Sequence, residues 1–262
     1  KKIINTFKPQ YIVNFAANSH VDWSISDPLN FVKSNYTATL NILVSIANAD
    51  KKIKFFQIGT DEIYGEIKKN QKKVFQENSH LEPSNPYSAS KAACNLLVKS
   101  FSKTYGLKYV ILNPSNNFGP FQYKDKLIPK TIIDIIKKRK VKIFKNGENI
   151  RQWMYVEDTC KVIELALNYA KINNTYNLGY GSVSSNNEIV RIIHRNIESI
   201  KKKKIKIKVD YIKDRKGHDF KYFSNGSKLK KIIKIKPIKF LDGIKQTIKW
   251  YLNKENFKLF KK

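Results

Sequence analysis

The sequence predicts an α/β fold in which strands and helices alternate to form a doubly wound parallel sheet. Short apolar segments with β-branched or aromatic residues lie at 11–15, 54–58 and 109–113. Between them, apolar residues recur at helical spacing over 31–49 and 87–105. Because a strand, a helix and a second strand in succession make a parallel crossover unit, this order predicts a parallel sheet covered by helices.

A change in loop composition and in element length after Pro114 predicts a second, smaller domain. The helix over 87–105 should end at Gly106, a residue typical of helix C-caps, and the next strand should end at Pro114. Beyond that point, loops rich in Gly, Pro and Asn separate shorter elements. We therefore expect a smaller and less regular α/β domain to follow the sheet.

The charge of the chain suggests a nucleic-acid ligand, but the type of basic residue argues against one. The 262 residues carry a formal net charge of +30 and 51 Lys and Arg side chains. Lysine is spread along the whole chain, so we expect a basic surface that attracts anionic ligands and no nucleic-acid partner. Arginine, which nucleic-acid surfaces use for bidentate contacts, occurs only at positions 139, 151, 191, 195 and 215.

The densest lysine run lies at 201–209, and its second half alternates apolar and charged residues. This alternation predicts a half-buried strand with a solvated lysine face.

No apolar stretch approaches the roughly 20 residues needed to span a bilayer, so we expect no membrane partner. Cys94 and Cys160 lack the spacing of a metal site or of a disulfide framework. We expect a cytoplasmic protein with reduced thiols.

Two short segments have the residue types and the spacing of a hydride-transfer site. Thr60, Asp61 and Glu62 follow the second predicted strand, and Tyr87 and Lys91 lie four residues apart at the start of a predicted helix. A spacing of four places both helical side chains on one face. Taken alone, the first segment is equally an N-cap or turn and the second an ordinary exposed helix start. Their joint occurrence favours an active site.

A glycine-rich turn after a first strand, which dinucleotide-binding sheets use to admit a pyrophosphate, is not found in this sequence. The only glycines before position 106 are Gly59 and Gly65, and neither opens a helix. Either the fold does not bind a dinucleotide, or these residues begin partway through such a fold.

The sequence resembles the extended short-chain dehydrogenase/reductases, and among them the dTDP-glucose 4,6-dehydratases. For example, residues 58–65 read Ile-Gly-Thr-Asp-Glu-Ile-Tyr-Gly, which is similar to the family's Ile-Ser-Thr-Asp-Glu-Val-Tyr-Gly. The resemblance covers essentially the whole chain, and its motifs lie at 16–22, 58–65, 83–91, 115–122, 126–129, 151–158 and 214–219.

Four residues depart from the family's motifs. Asn18 replaces an acid, Gly59 a serine, Gln152 an aspartate and Lys216 a proline. The last two flank expected substrate contacts and could alter substrate preference. Against the family, roughly the first 65 residues, with the first strand and its glycine-rich turn, would precede Lys1. We expect the fold to be a Rossmann-like sheet lacking its first strands, with one face of the sheet uncovered.

The resemblance implies a net dehydration of a nucleotide hexose by oxidation, elimination and reduction with NAD. Tyr87 would take the C4 hydroxyl proton, Lys91 would lower the pKa of that tyrosine and hold the nicotinamide ribose, and Thr60 would hydrogen-bond the same oxygen. Glu62 would act as the base at C5 and Asp61 as the acid for the leaving oxygen, because one of two close carboxyls can stay protonated.

The resemblance also implies the remaining site residues and the division of the chain. Residues 1–118, with 151–183 returning to them, would bind NAD, and 119–262 would mainly bind the nucleotide sugar. No metal is expected. Cofactor contacts are expected at Ala16, Ala17, Ser19, Ser34, Tyr87, Lys91 and Asn117. Substrate contacts are expected at Ser19, His20, Asn116, Lys126, Leu127, Arg151, Asn186, Arg215 and His218.

The expected partners are a nucleotide sugar and a second copy of the chain, which would pair through helices at about 35–48 and 87–105. Two alternatives stay open. The enzyme could act on another sugar nucleotide as a UDP- or GDP-sugar dehydratase or a decarboxylase, or the chain could be an inactive remnant. Without a pyrophosphate-binding turn, residues 1–262 alone are expected to bind NAD weakly.

Overall fold

The computed structural model describes residues 1–49, 53–253 and 255–256. The chain divides into two compact units. The first unit contains residues 1–115, 162–179 and 216–234, and the second contains 116–161, 180–215 and 235–262.

The strands and helices alternate along much of the chain. The strands are β1 (Tyr11–Asn14), β2 (Lys54–Ile58), β3 (Lys108–Pro114), β4 (Asn116–Phe118), β5 (Val141–Phe144), β6 (Ile150–Tyr155), β7 (Asn174–Leu178), β8 (Ser182–Ser185) and β9 (Val209–Ile212). The α-helices are α1 (Lys2–Phe7), α2 (Val21–Ser26), α3 (Pro28–Phe31), α4 (Ala38–Ala47), α5 (Pro86–Tyr105), α6 (Leu127–Ile136), α7 (Val156–Tyr169), α8 (Asn186–Lys201), α9 (Ser227–Lys230) and α10 (Phe240–Leu252).

The first unit contains the predicted parallel sheet. Its strand order is β1-β2-β3-β7, and each neighbouring pair is parallel. Parallel pairing brings the carboxyl ends of the strands to one edge, with Ile58 of β2 opposite Leu112 of β3 and Pro114 opposite Leu178 of β7. In open sheets of this kind, ligands bind at the carboxyl edge.

Both faces of the central strands β2 and β3 are buried. Phe55 and Phe56 point to opposite faces of the sheet and are almost fully buried, as are Val110 and Ile111. The expectation of an uncovered apolar face is therefore wrong for these strands. The edge strand β1 is less covered, since its first three residues are half-buried and Phe15, which follows it, is 60% exposed.

The second unit has its own strands and its own core. Strand β6 pairs with β4 in parallel and with β8 antiparallel, and β5 pairs with β9 in parallel. Helices α6, α8 and α10 bury apolar faces in one cluster, to which each contributes a fully buried isoleucine: Ile132, Ile193 and Ile248. The strand-and-helix composition matches the predicted smaller α/β domain.

Two predicted elements differ from the structure. The helix over 31–49 is interrupted by a π-helix at Val32–Thr37, which leads into α4. The lysine-rich stretch forms a strand only from Val209. Ile205 and Ile207 pack against the core of the second unit, whereas Lys206 between them is exposed. The alternating residues therefore lie on an irregular segment that buries its apolar side chains.

The boundaries of the units also differ from the predicted ones. The first return to the first unit begins at Val162, not at 151, and residues 216–234 return as well. Packing explains the second return, because Gly226 lies against Gly179 at the end of β7 and Ser224 bridges to Phe75. The roles of the two units in binding cofactor and substrate stay predictions. Among the described residues, none of the helices is long and apolar enough to cross a membrane.

Candidate active site

The Thr-Asp-Glu segment forms a capped turn at the end of β2. Thr60 is the N-cap of a short 3₁₀ helix, Asp61–Tyr64, and its hydroxyl accepts a hydrogen bond from the Glu62 N–H at 3.3 Å. Thr60 and Asp61 are buried, and Glu62 is half-buried. The capping interpretation is therefore correct for Thr60, and it also fixes the two carboxylates at the carboxyl edge of the sheet.

Tyr87 and Lys91 lie on the first turns of α5. Asn85 caps this helix through a reciprocal capping box with Ser88, and Pro86 occupies its first position, where no N–H is needed. The two candidate side chains face inward, because Tyr87 is 8% exposed and Lys91 is 4% exposed. The alternative of an ordinary exposed helix start is wrong.

The structure brings the tyrosine to the Thr-Asp-Glu turn. The Thr60 hydroxyl hydrogen-bonds the Tyr87 phenol, and the carboxyls of Glu62 and Asp61 lie close enough to act on its charge. Burial raises the pKa of Tyr87 above its ordinary value, the Glu62 and Asp61 carboxyls raise it further, and the Thr60 bond opposes this. Two carboxyls, a hydroxyl and a phenol thus lie together, of which only the Glu62 carboxyl belongs to a half-buried residue.

Lys91 lies at the strand end that precedes the turn. Its ammonium donates a hydrogen bond to the carbonyl of Ile58, the last residue of β2, at 2.5 Å. Burial lowers the pKa of Lys91. The pKa of Tyr87 is raised by its burial and by the two carboxyls, which is opposite to the shift that proton abstraction needs. A positive charge beside the phenol would lower the pKa of Tyr87.

Three of the predicted cofactor residues, Ala16, Ala17 and Ser19, lie directly after β1. Ala16 and Ser19 are exposed and Ala17 is half-buried, so this segment presents small side chains and backbone at the carboxyl edge. Asn18 donates to the Ser34 hydroxyl at 2.8 Å, which joins the segment to the π-helix. These small residues, with the inward-facing Tyr87 and Lys91, fit the nicotinamide half of a dinucleotide.

Asn117, the remaining predicted cofactor residue, lies on β4 in the second unit. Its side-chain oxygen accepts a hydrogen bond from the Thr159 hydroxyl, and its carbonyl accepts one from the Gln122 amide at 2.8 Å. These bonds fix the orientation of Asn117 within its own unit.

Several predicted substrate residues lie in the second unit. Arg151 is buried on β6 and donates to the Ile150 carbonyl at 2.8 Å. The antiparallel pairing places it opposite Ser184 of β8, and Asn186, the first residue of α8, follows directly after that strand. Asn116 lies on β4, Lys126 precedes α6, and Leu127 is the first residue of α6.

Arg215 faces an aromatic residue that sequence reasoning did not single out. Its guanidinium carbon lies 5.9 Å from the centre of the Phe144 ring, a cation–π geometry. Phe144 ends β5, and the parallel pairing of β5 with β9 brings the two segments together. A short alternating segment at 141–144 is the sequence signal that marks this strand.

The predicted substrate residues of the first unit are Ser19, His20 and His218. His20 caps α2, since its Nδ1 accepts from the Trp23 N–H at 3.4 Å and its ring stacks on Trp23 with centroids 4.6 Å apart. A structural role is thus present beside any ligand role. His218 is half-buried in the returning segment. Within the described ranges, no group of three or more His, Cys, Asp or Glu side chains could hold a metal ion.

A parallel sheet whose strand end carries Thr-Asp-Glu against a tyrosine and a lysine on a helix defines a short-chain dehydrogenase/reductase. Residues 1–247 match the family model described as GDP-mannose 4,6 dehydratase. The chain belongs to the extended short-chain dehydrogenase/reductases, in the family of the dTDP-glucose 4,6-dehydratases.

The relatives that support this assignment are named dTDP-glucose 4,6-dehydratases. The dTDP-glucose 4,6-dehydratase of Haemophilus influenzae is 37% identical, over 96% of this chain and 79% of its own length. That of Xanthomonas campestris pv. campestris is 35% identical, over 98% of this chain and 76% of its own. The enzyme of Streptomyces venezuelae, solved with NAD bound, matches with a TM-score of 0.88 and 32% identity, over 95% of this chain and 75% of that one.

Proposed function

We propose that the chain dehydrates dTDP-glucose to dTDP-4-keto-6-deoxyglucose by oxidation, elimination and reduction, with NAD as the cofactor. The observation that carries the proposal is the placement of two carboxyls, Asp61 and Glu62, beside the buried Tyr87 phenol. Oxidation at C4 needs only the phenol as a base. Elimination of water needs an acid and a base in addition, and the turn supplies both.

Each residue has a defined task in this reaction. Tyr87 accepts the proton of the C4 hydroxyl, while Thr60 hydrogen-bonds the same oxygen. Bound NAD would supply the chemistry of hydride transfer, away from C4 and back to C6, and its cationic ring would lower the pKa of the phenol. Lys91 would hold the cofactor ribose.

Elimination follows because a ketone at C4 acidifies the proton at C5. Glu62 removes that proton, and Asp61 gives a proton to the oxygen that leaves C6 as water. One carboxyl is ionised and the other protonated at this stage, an arrangement that mutual repulsion of two close carboxyls favours. Glu62 then returns its proton to C5 during the final reduction at C6.

The test is conversion of sugar nucleotides by the purified enzyme, monitored by the absorbance of the 4-keto product in alkali. We expect turnover of dTDP-glucose. GDP-mannose is the second candidate, because the matching family model is described by that substrate. If the enzyme converts GDP- or UDP-sugars but not dTDP-glucose, the reaction class stays and the assigned nucleotide of the substrate is wrong. Absence of conversion with every sugar nucleotide would favour the inactive remnant.

We also propose a homodimer formed through α4 and α5. These helices pack together and expose apolar side chains, of which Val44 is 41% and Leu96 is 55% exposed. Light scattering tests this with Leu96→Lys, which should give monomers. Leu241→Lys on α10, where Leu241 is 50% exposed, is the matched control and should leave the dimer intact.

A cytoplasmic location is also part of the proposal, since Cys94 and Cys160 are both free thiols.

A further inference from the structure

We infer that Asn113 is a positioning residue for the dehydration, and that Gly59 provides the space it occupies. The inference rests on the proposed function. Asn113 joins the helix that carries Tyr87 and Lys91 to the turn that carries Asp61 and Glu62. It therefore sets the distance between the group that oxidises C4 and the groups that eliminate water.

The contacts of Asn113 reach both catalytic elements. Asn113 is fully buried near the end of β3. Its side-chain oxygen accepts a hydrogen bond from the Asn95 amide at 3.0 Å, and Asn95 lies one helical turn after Lys91 on α5. Its own amide donates to the Tyr64 hydroxyl at 3.2 Å, and Tyr64 ends the 3₁₀ helix that begins at Asp61.

A third buried partner of Asn113 completes this network. Asn177 on β7 accepts a hydrogen bond from the Tyr64 hydroxyl at 2.8 Å and a longer one from the Asn113 amide at 3.4 Å. Burial raises the pKa of Tyr64 to about 12, so its hydroxyl remains a donor throughout the neutral range. Buried networks of this kind fix geometry firmly, because moving one member leaves another without a partner in a medium of low dielectric constant.

Gly59 lies where this network would be blocked by a side chain. A Cβ at position 59 would lie 2.0 Å from the Asn113 side-chain oxygen and 3.1 Å from the Asn95 side-chain nitrogen. Even a methyl group would therefore push apart the Asn95–Asn113 hydrogen bond. The family's motif has serine at this position, so this departure, one residue before Thr60, affects the catalytic geometry directly.

The first test separates positioning from stability. Asn113→Ala should lower kcat for dTDP-glucose about 10²-fold, the effect of a misplacement near 1 Å, with KM changed by less than about twofold. Thr247→Ala is the control, because it removes a buried hydroxyl on α10 that bonds the Gly243 carbonyl at 2.8 Å. It should reduce the unfolding temperature with kcat unchanged. A merely structural Asn113 would behave like Thr247, and that result would overturn the inference.

The second test asks whether Gly59 acts through Asn113. Gly59→Ala should lower kcat in the parent, because the new methyl displaces the Asn113 amide. In an Asn113→Ala background the same change should cost little more, since the displaced group is gone. Additive losses would overturn the role of Gly59. If Asn113→Ala does not fold, Asn113→Asp, which can still accept from Asn95 but cannot donate to Tyr64, provides the measurement.

The parent enzyme distinguishes this inference from the proposed function. A parent that converts no sugar nucleotide overturns both. A parent that converts dTDP-glucose, with an Asn113→Ala variant of equal kcat at equal folded fraction, overturns the inference alone.

Discussion

Asn35 holds the backbone of Asn18 with two hydrogen bonds. Its side-chain oxygen accepts from the Asn18 N–H at 2.7 Å, and its amide donates to the Asn18 carbonyl at 3.0 Å. The same amide donates to the Ser90 hydroxyl at 2.9 Å, between Tyr87 and Lys91 on α5. Asn35 thus ties the predicted cofactor segment to the catalytic helix, and it lies in the π-helix, a feature frequent at functional sites.

We predict that Asn35→Asp weakens NAD binding and destabilises the fold. Aspartate can still accept from the Asn18 N–H but cannot donate to the Asn18 carbonyl or to Ser90. Losing buried hydrogen-bond donors should lower the free energy of unfolding by about 2–3 kcal/mol. The freed segment should raise the NAD dissociation constant roughly tenfold. Titration calorimetry and urea unfolding measure the two effects.

Asn41→Ala is the control for Asn35, because Asn41 is exposed on α4, two turns further along. It should leave both quantities near the parent values. If Asn35→Asp lowered stability but bound NAD as tightly as the parent, the link between this segment and the cofactor would be wrong.

The second prediction separates the two halves of the reaction. Glu62→Gln should still transfer hydride from C4, so reduced cofactor accumulates with its absorbance at long wavelength. Elimination should fall by roughly 10²–10⁴, the usual contribution of a positioned base. Tyr87→Phe should show no reduced cofactor. Equal loss of oxidation and elimination in Glu62→Gln would remove Glu62 from the role of base at C5.

The third prediction concerns the pH dependence of the first half-reaction. In the structure the Glu62 carboxyl raises the pKa of Tyr87, second only to burial. Replacing it by an amide removes negative charge beside the phenol, so the pKa of Tyr87 should fall. The rate of cofactor reduction in Glu62→Gln should therefore reach its plateau at lower pH than in Asp61→Asn, since Asp61 contributes less to the shift. A plateau at the same pH in both variants would contradict this ordering.

The sheet and the catalytic helix were predictable because they rest on local patterns. Strand 54–58 and helix 87–105 differ from β2 and α5 by at most one residue at each end, since apolar spacing, Pro86 and Gly106 are local signals. The π-helix was not predictable in this way. Its i→i+5 hydrogen bonds leave no separate mark in the apolar pattern, and the tertiary bonds of Asn35 within it join residues distant in the sequence.

The departures from the family motif show why the contacts of a site can be predicted only in part from the sequence. Asn18 stands where the family has an acid, and its amide donates to the Ser34 hydroxyl, whose own proton bonds the Asn30 carbonyl at 2.7 Å. An ionised carboxylate could not make this donation, so asparagine fits the hydrogen-bond direction of this structure. That partner lies 16 residues away and was not evident from the motif.

The last prediction concerns stability and pH at Asp134 on α6. The side chain is buried, and burial raises the pKa of Asp134 above its ordinary value, against the opposing effect of Lys130 and other nearby cations. A carboxyl whose pKa is raised on folding stabilises the fold below its unfolded pKa, about 4, and loses that contribution as pH rises through the folded value. At neutral pH the buried carboxylate therefore destabilises the fold, and Asp134→Asn should raise the free energy of unfolding by up to about 1 kcal/mol.

Urea unfolding should show this gain in the free energy of unfolding at pH 7 and a smaller gain near pH 4. Glu164→Gln, which removes the same charge from an exposed position on α7, should give no gain at pH 7. A stabilisation that was equal at both pH values would show that the charge of Asp134 is not its cause.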